Sequence, residues 1–481
     1  MDLSLLAPLM FASLILFMLL GYPVAFALAA NGLLFGFIGI EAGVIKPELL
    51  QALPERVFGI MRNDTLLAIP FFTFMGLILE RSGMAEALLD TIGQAFGRLR
   101  GGLAYAVILV GAVLAATTGV VAASVIAMGL ISLPIMLRYG YDRRLASGVI
   151  AASGTLAQII PPSLVLIVIA DQMAVSVGDM YEAALLPGLI LTTMYLAFVL
   201  AVTLLRPDCA PALPEEARAL RGMDMFWRIA STMLPPLILV FLVLGTIFMG
   251  VATPTEGGAM GSVGALLLAL AKRKLSWALL RQALDGTAKL STFVLFILIG
   301  STVFTLVFRG VDGDLWVEHL LAGLPGGQMG FLIVVNLLVF ALAFFLDFFE
   351  IAFILIPLLA PVAIKLGIDP VWFGVLLAIN MQTSFMHPPL GFALFYLRSV
   401  APPAVRTTDI YWGAIPFVCI QVLMVALVIV FPDLAKPFAT SAVEHNADIG
   451  ALPAATPADV PTGDAADEKD PAILMMEQLA K

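Results

Sequence analysis

Long apolar runs, separated by short turns rich in Gly, Pro and charge, repeat along residues 3–431. A helix that crosses a bilayer needs about 20 mostly apolar residues. Residues 3–20 and 24–40 roughly qualify and are parted by Gly21-Tyr22-Pro23. Residues 41–64, with Glu41, Lys46, Glu55, Arg56, Arg62 and Asp64, read as an interfacial arm, and a third span is predicted from Leu66 to Leu79. A polar segment then ends in Arg98-Leu99-Arg100-Gly101-Gly102. Residues 103–137 carry no charge, yet their middle, Ala115-Ala116-Thr117-Thr118-Gly119, makes a poor helix centre because Thr is β-branched and Gly flexible. Arg98 and Arg100 precede this stretch, and Arg138, Arg143 and Arg144 follow it. Short basic loops face the cytoplasm, so both ends belong on one side. The stretch is therefore predicted to be a re-entrant hairpin with its tip at Thr117–Gly119. Non-helical backbone at that depth needs protein or a water-filled cavity around it.

A broken span over 145–170 and a return span over 183–205 complete the first half. A polar linker follows from Arg206 to Arg228. The second half replays the order. Spans at about 232–250 and 257–271 meet at Thr253-Pro254-Thr255-Glu256, and another runs over about 287–308. A second apolar stretch, 329–364, is interrupted by Leu346-Asp347-Phe348-Phe349-Glu350 and predicts a second hairpin. A broken helix and a last span over about 411–431 close the half. Five crossings and one hairpin per half turn the second half upside down, which is the inverted-topology repeat that transporters use for alternating access.

The two halves also share a spacing. Gly140-Tyr141-Asp142 is followed after eighteen residues by Pro161-Pro162, and Gly367-Ile368-Asp369 after eighteen by Pro388-Pro389. Both copies pass small hydroxyl residues on the way, Ser153-Gly154-Thr155 in one and Thr383-Ser384 in the other. Two apolar helices broken at matched points predict a site built twice.

Composition supports the membrane reading. The 481 residues are 61% hydrophobic and 12% charged, half the charge density of an ordinary soluble domain. Of the net charge of −9, −6 falls after Phe431, where nine Asp/Glu face three Lys/Arg. That tail, 432–481, reads as disordered and acidic, lying outside the cytoplasm on the crossing count. The span-bearing part is nearly neutral, so no nucleic-acid partner is expected; the partner surface is the lipid bilayer. Cys209 and Cys419 are too few for a disulfide framework or metal cluster. Met1-Asp2-Leu3-Ser4 has no basic n-region, so the first apolar run reads as a retained helix. No phosphate loop or HExxH spacing occurs, so neither ATP hydrolysis nor any enzyme activity is expected, and no metal site or cofactor.

The candidate chemistry lies at the tips and breaks. Tip one offers Thr117, Thr118 and Gly119, with Ser124 beyond; small residues at such a place also serve close helix packing. Tip two offers Asp347 and Glu350, and a carboxylate deep in a membrane is a functional hypothesis by default. Glu350 could equally be interfacial or paired. Hydroxyl and freed carbonyl oxygens with one carboxylate suit a monovalent cation, and half-helix N-termini suit an anion. His387, before Pro388, could meet substrate or simply be packed and hydrogen-bonded. Glu256 could be a contact or a cap. No arginine falls in a tip or break.

Residues 3–431 resemble the large membrane subunit of tripartite ATP-independent periplasmic (TRAP) transporters, within the ion transporter superfamily. The resemblance is carried by Leu67-Ala68-Ile69-Pro70-Phe71-Phe72, Arg100-Gly101-Gly102-Leu103, Ile159-Ile160-Pro161-Pro162-Ser163, Thr253-Pro254-Thr255-Glu256 and Pro388-Pro389. Asp347-Phe348-Phe349-Glu350 and Met381-Gln382-Thr383-Ser384-Phe385 look like the branch labelled mannitol/chloroaromatic, for which 2-oxo and hydroxy acids are comparable substrates. The resemblance implies an all-α polytopic elevator in the bacterial inner (cytoplasmic) membrane. It implies Na⁺-coupled symport of an organic acid delivered by a periplasmic substrate-binding protein, with a separate small four-helix membrane subunit. A stand-alone Na⁺- or H⁺-coupled carboxylate transporter is the alternative. Na⁺ would lie at Thr117, Thr118, Gly119, Ser153, Gly154 and Thr155, and at Asp347, Thr383 and Ser384. Substrate would lie between, at Thr118, Ser124, Pro161, Pro162, Ser163, Asp347, Thr383, His387 and Pro388. The family's usual Gly-Ser then Ala-Asp at the first tip is here Gly119-Val120 and Ala123-Ser124, and its usual Ser-Ser-Thr at the first break is Ser153-Gly154-Thr155. The expected domains are scaffold at 1–101 and 229–309, transport at 102–205 and 310–431, and a linker at 206–228.

Overall fold

In a computed structural model of the chain, the residues described are 5–217, 222–344, 346–389 and 391–436. The acidic tail beyond Lys436 and Arg218–Arg221 of the linker lie outside them, as does the side chain of Thr118. Among the described residues the regular elements are helices alone. The first half contains α1 (Leu6–Leu19), α2 (Val24–Glu41), α3 (Glu48–Gln51), α4 (Leu53–Met61), α5 (Asp64–Arg81), α6 (Met84–Ala95), α7 (Gly102–Thr118), α8 (Val121–Arg138), α9 (Arg143–Thr155), α10 (Leu164–Met173) and α11 (Val177–Leu205). The second half contains α12 (Gly222–Phe248), α13 (Pro254–Ala271), α14 (Trp277–Gly310), α15 (Gly313–Ala322), α16 (Gly327–Leu342), α17 (Phe348–Lys365), α18 (Pro370–Gln382), α19 (Phe392–Val400) and α20 (Thr407–Val430).

Among the described residues seven helices are long and apolar enough to cross a membrane: α2, α8, α11, α12, α14, α17 and α20. The arm α3–α4 meets α5 at a 47° bend and makes an eighth candidate. The repeat is visible in the packing. Helix α2 lies on α14 as α13 lies on α5; α9 lies on α20 as α18 lies on α11; and α8 lies on α19 as α17 lies on α10. The chain is a multi-pass, all-α membrane protein with two inverted halves.

Each half is punctuated by the same local chemistry. Asp142 and Asp369 are helix N-caps: Asp142 Oδ1 accepts from the Arg144 and Leu145 amides, and Asp369 Oδ1 from the Trp372 amide. Eighteen residues on, the Pro161–Pro162 and Pro388–Pro389 bonds are both cis. Proline has no amide hydrogen and cannot continue a helix ladder, so α9 and α18 each end in a short 3₁₀ turn before α10 and α19 begin. Thr155 and Gln382, 227 positions apart like the two proline pairs, touch each other: Gln382 Nε2 donates to Thr155 O at 3.1 Å and to its Oγ1 at 3.2 Å. A contact between equivalent positions marks the pseudo-twofold axis. Beside it, Gln421 Nε2 donates to Tyr195 OH at 3.0 Å.

Three expectations shift. The polar segment before Arg98 is the helix α6, buried along Met84, Ala85, Leu88, Leu89 and Ile92. The linker gives way to α12 at Gly222, before the expected Arg228. The second interruption falls just before Phe348, so Glu350 lies inside α17 rather than in the break.

Candidate functional site

The first tip forms because α7 ends at Thr118 and Gly119 takes the left-handed conformation, φ +59°, which costs glycine no Cβ strain. Its Cα is tucked against the first break: a Cβ there would lie 3.3 Å from the Pro162 carbonyl. The second tip is closed by a capping box. Asp347 Oδ1 accepts from the Glu350 amide and Glu350 Oε2 from the Asp347 amide, both at 2.9 Å. The same device, built from Thr253 and Glu256, starts α13, so Glu256 is a cap.

Between the tips lies a cavity of about 300 Å³. The start of α8 (Val120–Ala122), the start of α10 (Leu164, Val165), the start of α17 (Asp347–Phe349) and the start of α19 (Phe392) all line it. Four helix N-termini thus converge on one cavity. Those of α8, α10 and α19 have no side-chain cap. Unpaired amides and the positive end of the helix dipole favour an anion, each end by about 0.3–2 kcal/mol. Phe293, Phe385 and Tyr396 supply apolar walls, and Leu290 and Phe293 come from α14. Asp347 is the charged residue in the lining, and no Lys or Arg joins it among the described residues.

The predicted site residues divide. Gly119 and Asp347 line the cavity. Thr117, Ser153, Thr383 and Ser384 are buried and do not line it, and each donates its hydroxyl proton to a carbonyl of its own helix turn: Leu114, Val149, Asn380 and Met381. That geometry leaves hydroxyl lone pairs free for a cation. Thr155 differs. Its oxygen accepts from Gln382 Nε2 and, at 3.4 Å, from Gln421 Nε2, and two N–H donors occupy the lone pairs a cation would need. Gly154 fills a packing role: a Cβ there would sit 2.2 Å from Val125 Cγ2. Ser163 precedes α10 and spends its hydroxyl on Gln158 O at 2.5 Å. Ser124 is buried within α8. His387 stacks on Phe344 and meets Phe340 edge-on, with ring centroids 4.3 Å from each, and does not line the cavity. Pro161, Pro162 and Pro388 shape the breaks.

Sequence reasoning missed Gln158, Gln382 and Gln421. Gln158 lines the cavity, and Gln382 and Gln421 sit on the axis. Gln158 and Gln421 are each a lone amide in an apolar run, a signal the sequence carries, whereas Gln382 stands two residues from Asn380 beside Thr383 and Ser384.

A second crevice, about 500 Å³, separates α4 and α14 from α10 and α17. Asn63, the N-cap of α5, reaches across it to Asp171 of α10, Nδ2 to Oδ1 2.5 Å.

Two inverted halves, each with a hairpin tip set into a broken helix around a shared cavity, define a membrane transporter. The chain matches, over residues 11–434, the family described as "Tripartite ATP-independent periplasmic transporter, DctM component". It is 30% identical to the C4-dicarboxylate TRAP transporter large permease protein DctM of Pseudomonas aeruginosa, covering 82% of this chain and 91% of that protein. It is also 30% identical to the DctM protein of Rhodobacter capsulatus, covering 89% and 98%. The 2,3-diketo-L-gulonate TRAP transporter large permease protein YiaN of Escherichia coli is 27% identical, covering 86% and 94%. Among solved structures, the Alcanivorax borkumensis YdaH transporter, described as having an unusual topology, superposes with a TM-score of 0.58 at 16% identity, covering 82% of this chain and 91% of that one. That likeness concerns the fold alone. The chain belongs to the DctM component family and is the large permease component of a TRAP transporter. Membership implies a small membrane subunit and a periplasmic binding protein as partners, and these relatives are permeases, not enzymes.

Proposed function

We propose that this chain is the Na⁺-coupled permease of a bacterial inner-membrane uptake system for a small organic acid. The observation that carries the reading is the convergence of four helix N-termini on one cavity with no basic side chain in its lining among the described residues. A carboxylate placed there meets backbone amides and dipoles, which bind it without a countercharge that would hold it too tightly. The cation ties in at the rims. One Na⁺ sits between the first tip and first break, on oxygens of Thr117, Thr118, Gly119 and Ser153. A second sits on Asp347, Thr383 and Ser384. Relatives are named for C4-dicarboxylate, 2,3-diketo-L-gulonate and sialic acid, all acids, in keeping with an acid here.

Transport proceeds by an elevator. The hairpins and broken helices, 102–205 and 310–431, carry the cavity past a scaffold of 1–101 and 229–309. The crevice bridged by Asn63 and Asp171 is the sliding boundary. A periplasmic binding protein delivers the acid, and the small four-helix subunit braces the scaffold.

The test is reconstitution. The chain is incorporated into proteoliposomes alone, with the small subunit, and with subunit and loaded binding protein, under Na⁺ or H⁺ gradients. Uptake that needs Na⁺ and all components supports the reading. Equal uptake by the chain alone would identify a stand-alone carrier, and uptake driven by H⁺ alone would overturn the choice of ion.

A further inference from the structure

A cavity of about 650 Å³ lies where the start of α9, the end of α11 and the start of α20 meet. Two contacts hold these ends together. The Asp142 amide donates to Cys209 O at 2.8 Å, which ties the stretch after α11 to the start of α9. Gly413 of α20 lies flush on α9, where a Cβ would fall 2.1 Å from Arg144 O. Deeper in, the wall is apolar: Phe417 is buried and meets Phe198 edge-on, ring centroids 5.1 Å apart. At the rim stand three arginines, Arg143, Arg144 and Arg206, all exposed and so open to a ligand.

Two of the three have no ion partner. Arg144 faces Asp409, Nε to Oδ1 3.8 Å, and Asp409 Oδ2 accepts from the Arg406 amide. Asp142, the other acid in the lining, is committed through Oδ1 to capping α9. Among the described residues Arg143 and Arg206 make no ion pair. Two unpaired guanidiniums on one cavity call for an anion, and their planar forks match the oxygens of a phosphate.

The walls narrow the choice of anion. Leu205, 82% exposed, and Trp412, 59% exposed, also line the cavity, on helices long and apolar enough to cross the membrane. Tryptophan at the end of a span marks the level of the lipid headgroups. A free phosphate would meet the arginines and leave this apolar rim unused, whereas a phospholipid uses both, its phosphate on the arginines and its chains along Leu205 and Trp412. The basic loops place this end of the helices at the cytoplasmic leaflet, and basic pockets between spans on that side suit anionic headgroups. The acidic tail is a poorer occupant, because α20, 24 residues and about 36 Å long, spans the membrane between the cavity and the point where the tail begins.

We infer that this cavity is a binding site for an anionic phospholipid of the cytoplasmic leaflet, with Arg143 and Arg206 holding the phosphate. A headgroup bound in this way bridges the start of α9 to the end of α11. The assignment is independent of the coupling ion and of the transported acid.

The test uses the purified full chain in a neutral detergent. Thermal stabilisation is titrated with dioctanoyl phosphatidylglycerol, dioctanoyl phosphatidylcholine and glycerol phosphate, and the concentration dependence yields relative affinities. Wild type is expected to respond to the glycerol lipid at least about 10-fold more tightly than to the choline lipid, and glycerol phosphate is expected to stabilise little. Arg143→Gln and Arg206→Gln should each weaken the glycerol lipid about 5-fold, and together about 25-fold, with the choline lipid unchanged. Arg143→Lys with Arg206→Lys should retain most of the binding. Arg98→Gln with Arg138→Gln removes the same charge from the ends of the first hairpin, outside the cavity, and should change little. Equal stabilisation by the two lipids overturns the assignment. So does an equal loss in the two glutamine pairs, which would make the attraction diffuse surface charge. Glycerol phosphate as effective as the lipid would also overturn it, leaving a site for free phosphate. Should the Arg143/Arg206 glutamine pair melt far below wild type before lipid is added, the single variants decide, and unchanged lipid affinity in both refutes the site.

Discussion

Replacing Asp347 in two ways separates its two duties. As the N-cap of α17 its Oδ1 holds the Glu350 amide at 2.9 Å. Asn is as good an N-cap as Asp, whereas Ala costs about 0.5–2 kcal/mol. Asp347→Asn should therefore leave α17 and the Glu350 reciprocal bond in place, and its apparent melting temperature should match wild type within about a degree. Asp347→Ala should lower stability by the cap's worth. The proposed cation role makes a different demand. An interaction with a charged group contributes about 1.5–3 kcal/mol, so losing the carboxylate should weaken Na⁺ activation by roughly 10- to 150-fold. The assay is Na⁺-dependent uptake by the reconstituted complex over a range of Na⁺ concentrations, with tryptophan-fluorescence melting of the same preparations. Stability should follow Asn ≈ Asp > Ala, while Na⁺ activation should follow Asp ≫ Asn ≈ Ala. Asp347→Asn with unchanged Na⁺ dependence would refute the ion site and leave Asp347 as a cap alone.

Gly154→Ala should destabilise by about 1–3 kcal/mol through overpacking, since its new Cβ falls 2.2 Å from Val125 Cγ2. Adding Val125→Ala should recover part of that loss, and strictly additive losses in melting experiments would disprove the contact. In a background lacking Cys209 and Cys419, cysteines at 63 and 171 joined by a short bifunctional thiol reagent should arrest uptake, whereas either cysteine modified singly should not. Full uptake with the crosslink formed would rule out sliding of α10 against α5.

Much of the architecture was readable from the chain because it is written in hard punctuation. Asp142 and Asp369 cap helices, the proline pairs end them eighteen residues later, and Gly119 turns the first tip; each acts through its own backbone geometry. The rest depended on neighbours. The Asp347-x-x-Glu350 pattern is a capping box in sequence, but deep membrane carboxylates invited a reading in which both belonged to the interruption. Helix α6 was passed over because its apolar face, Met84, Ala85, Leu88, Leu89 and Ile92, is interleaved with Glu86 and Asp90. Thr155 looked like its neighbour Ser153, and only the fold shows that Gln382 and Gln421 occupy its oxygen. Gln158 stands out in the sequence as a lone amide in an apolar run, but only the fold shows that its amide meets no protein group.

The Thr155–Gln382 contact bears on ancestry. In a pair of identical subunits related by a twofold axis, a residue on the axis faces its own copy, so every substitution there changes both sides at once. Thr opposite Thr, or Gln opposite Gln, would be the available pairings, and a Thr–Gln pair could not arise by one mutation. Once two copies are joined in a single gene, the two positions mutate separately. The mismatched Thr155–Gln382 pair is thus an asymmetric hydrogen bond on the axis that two identical subunits could not hold, open only to two halves within one chain.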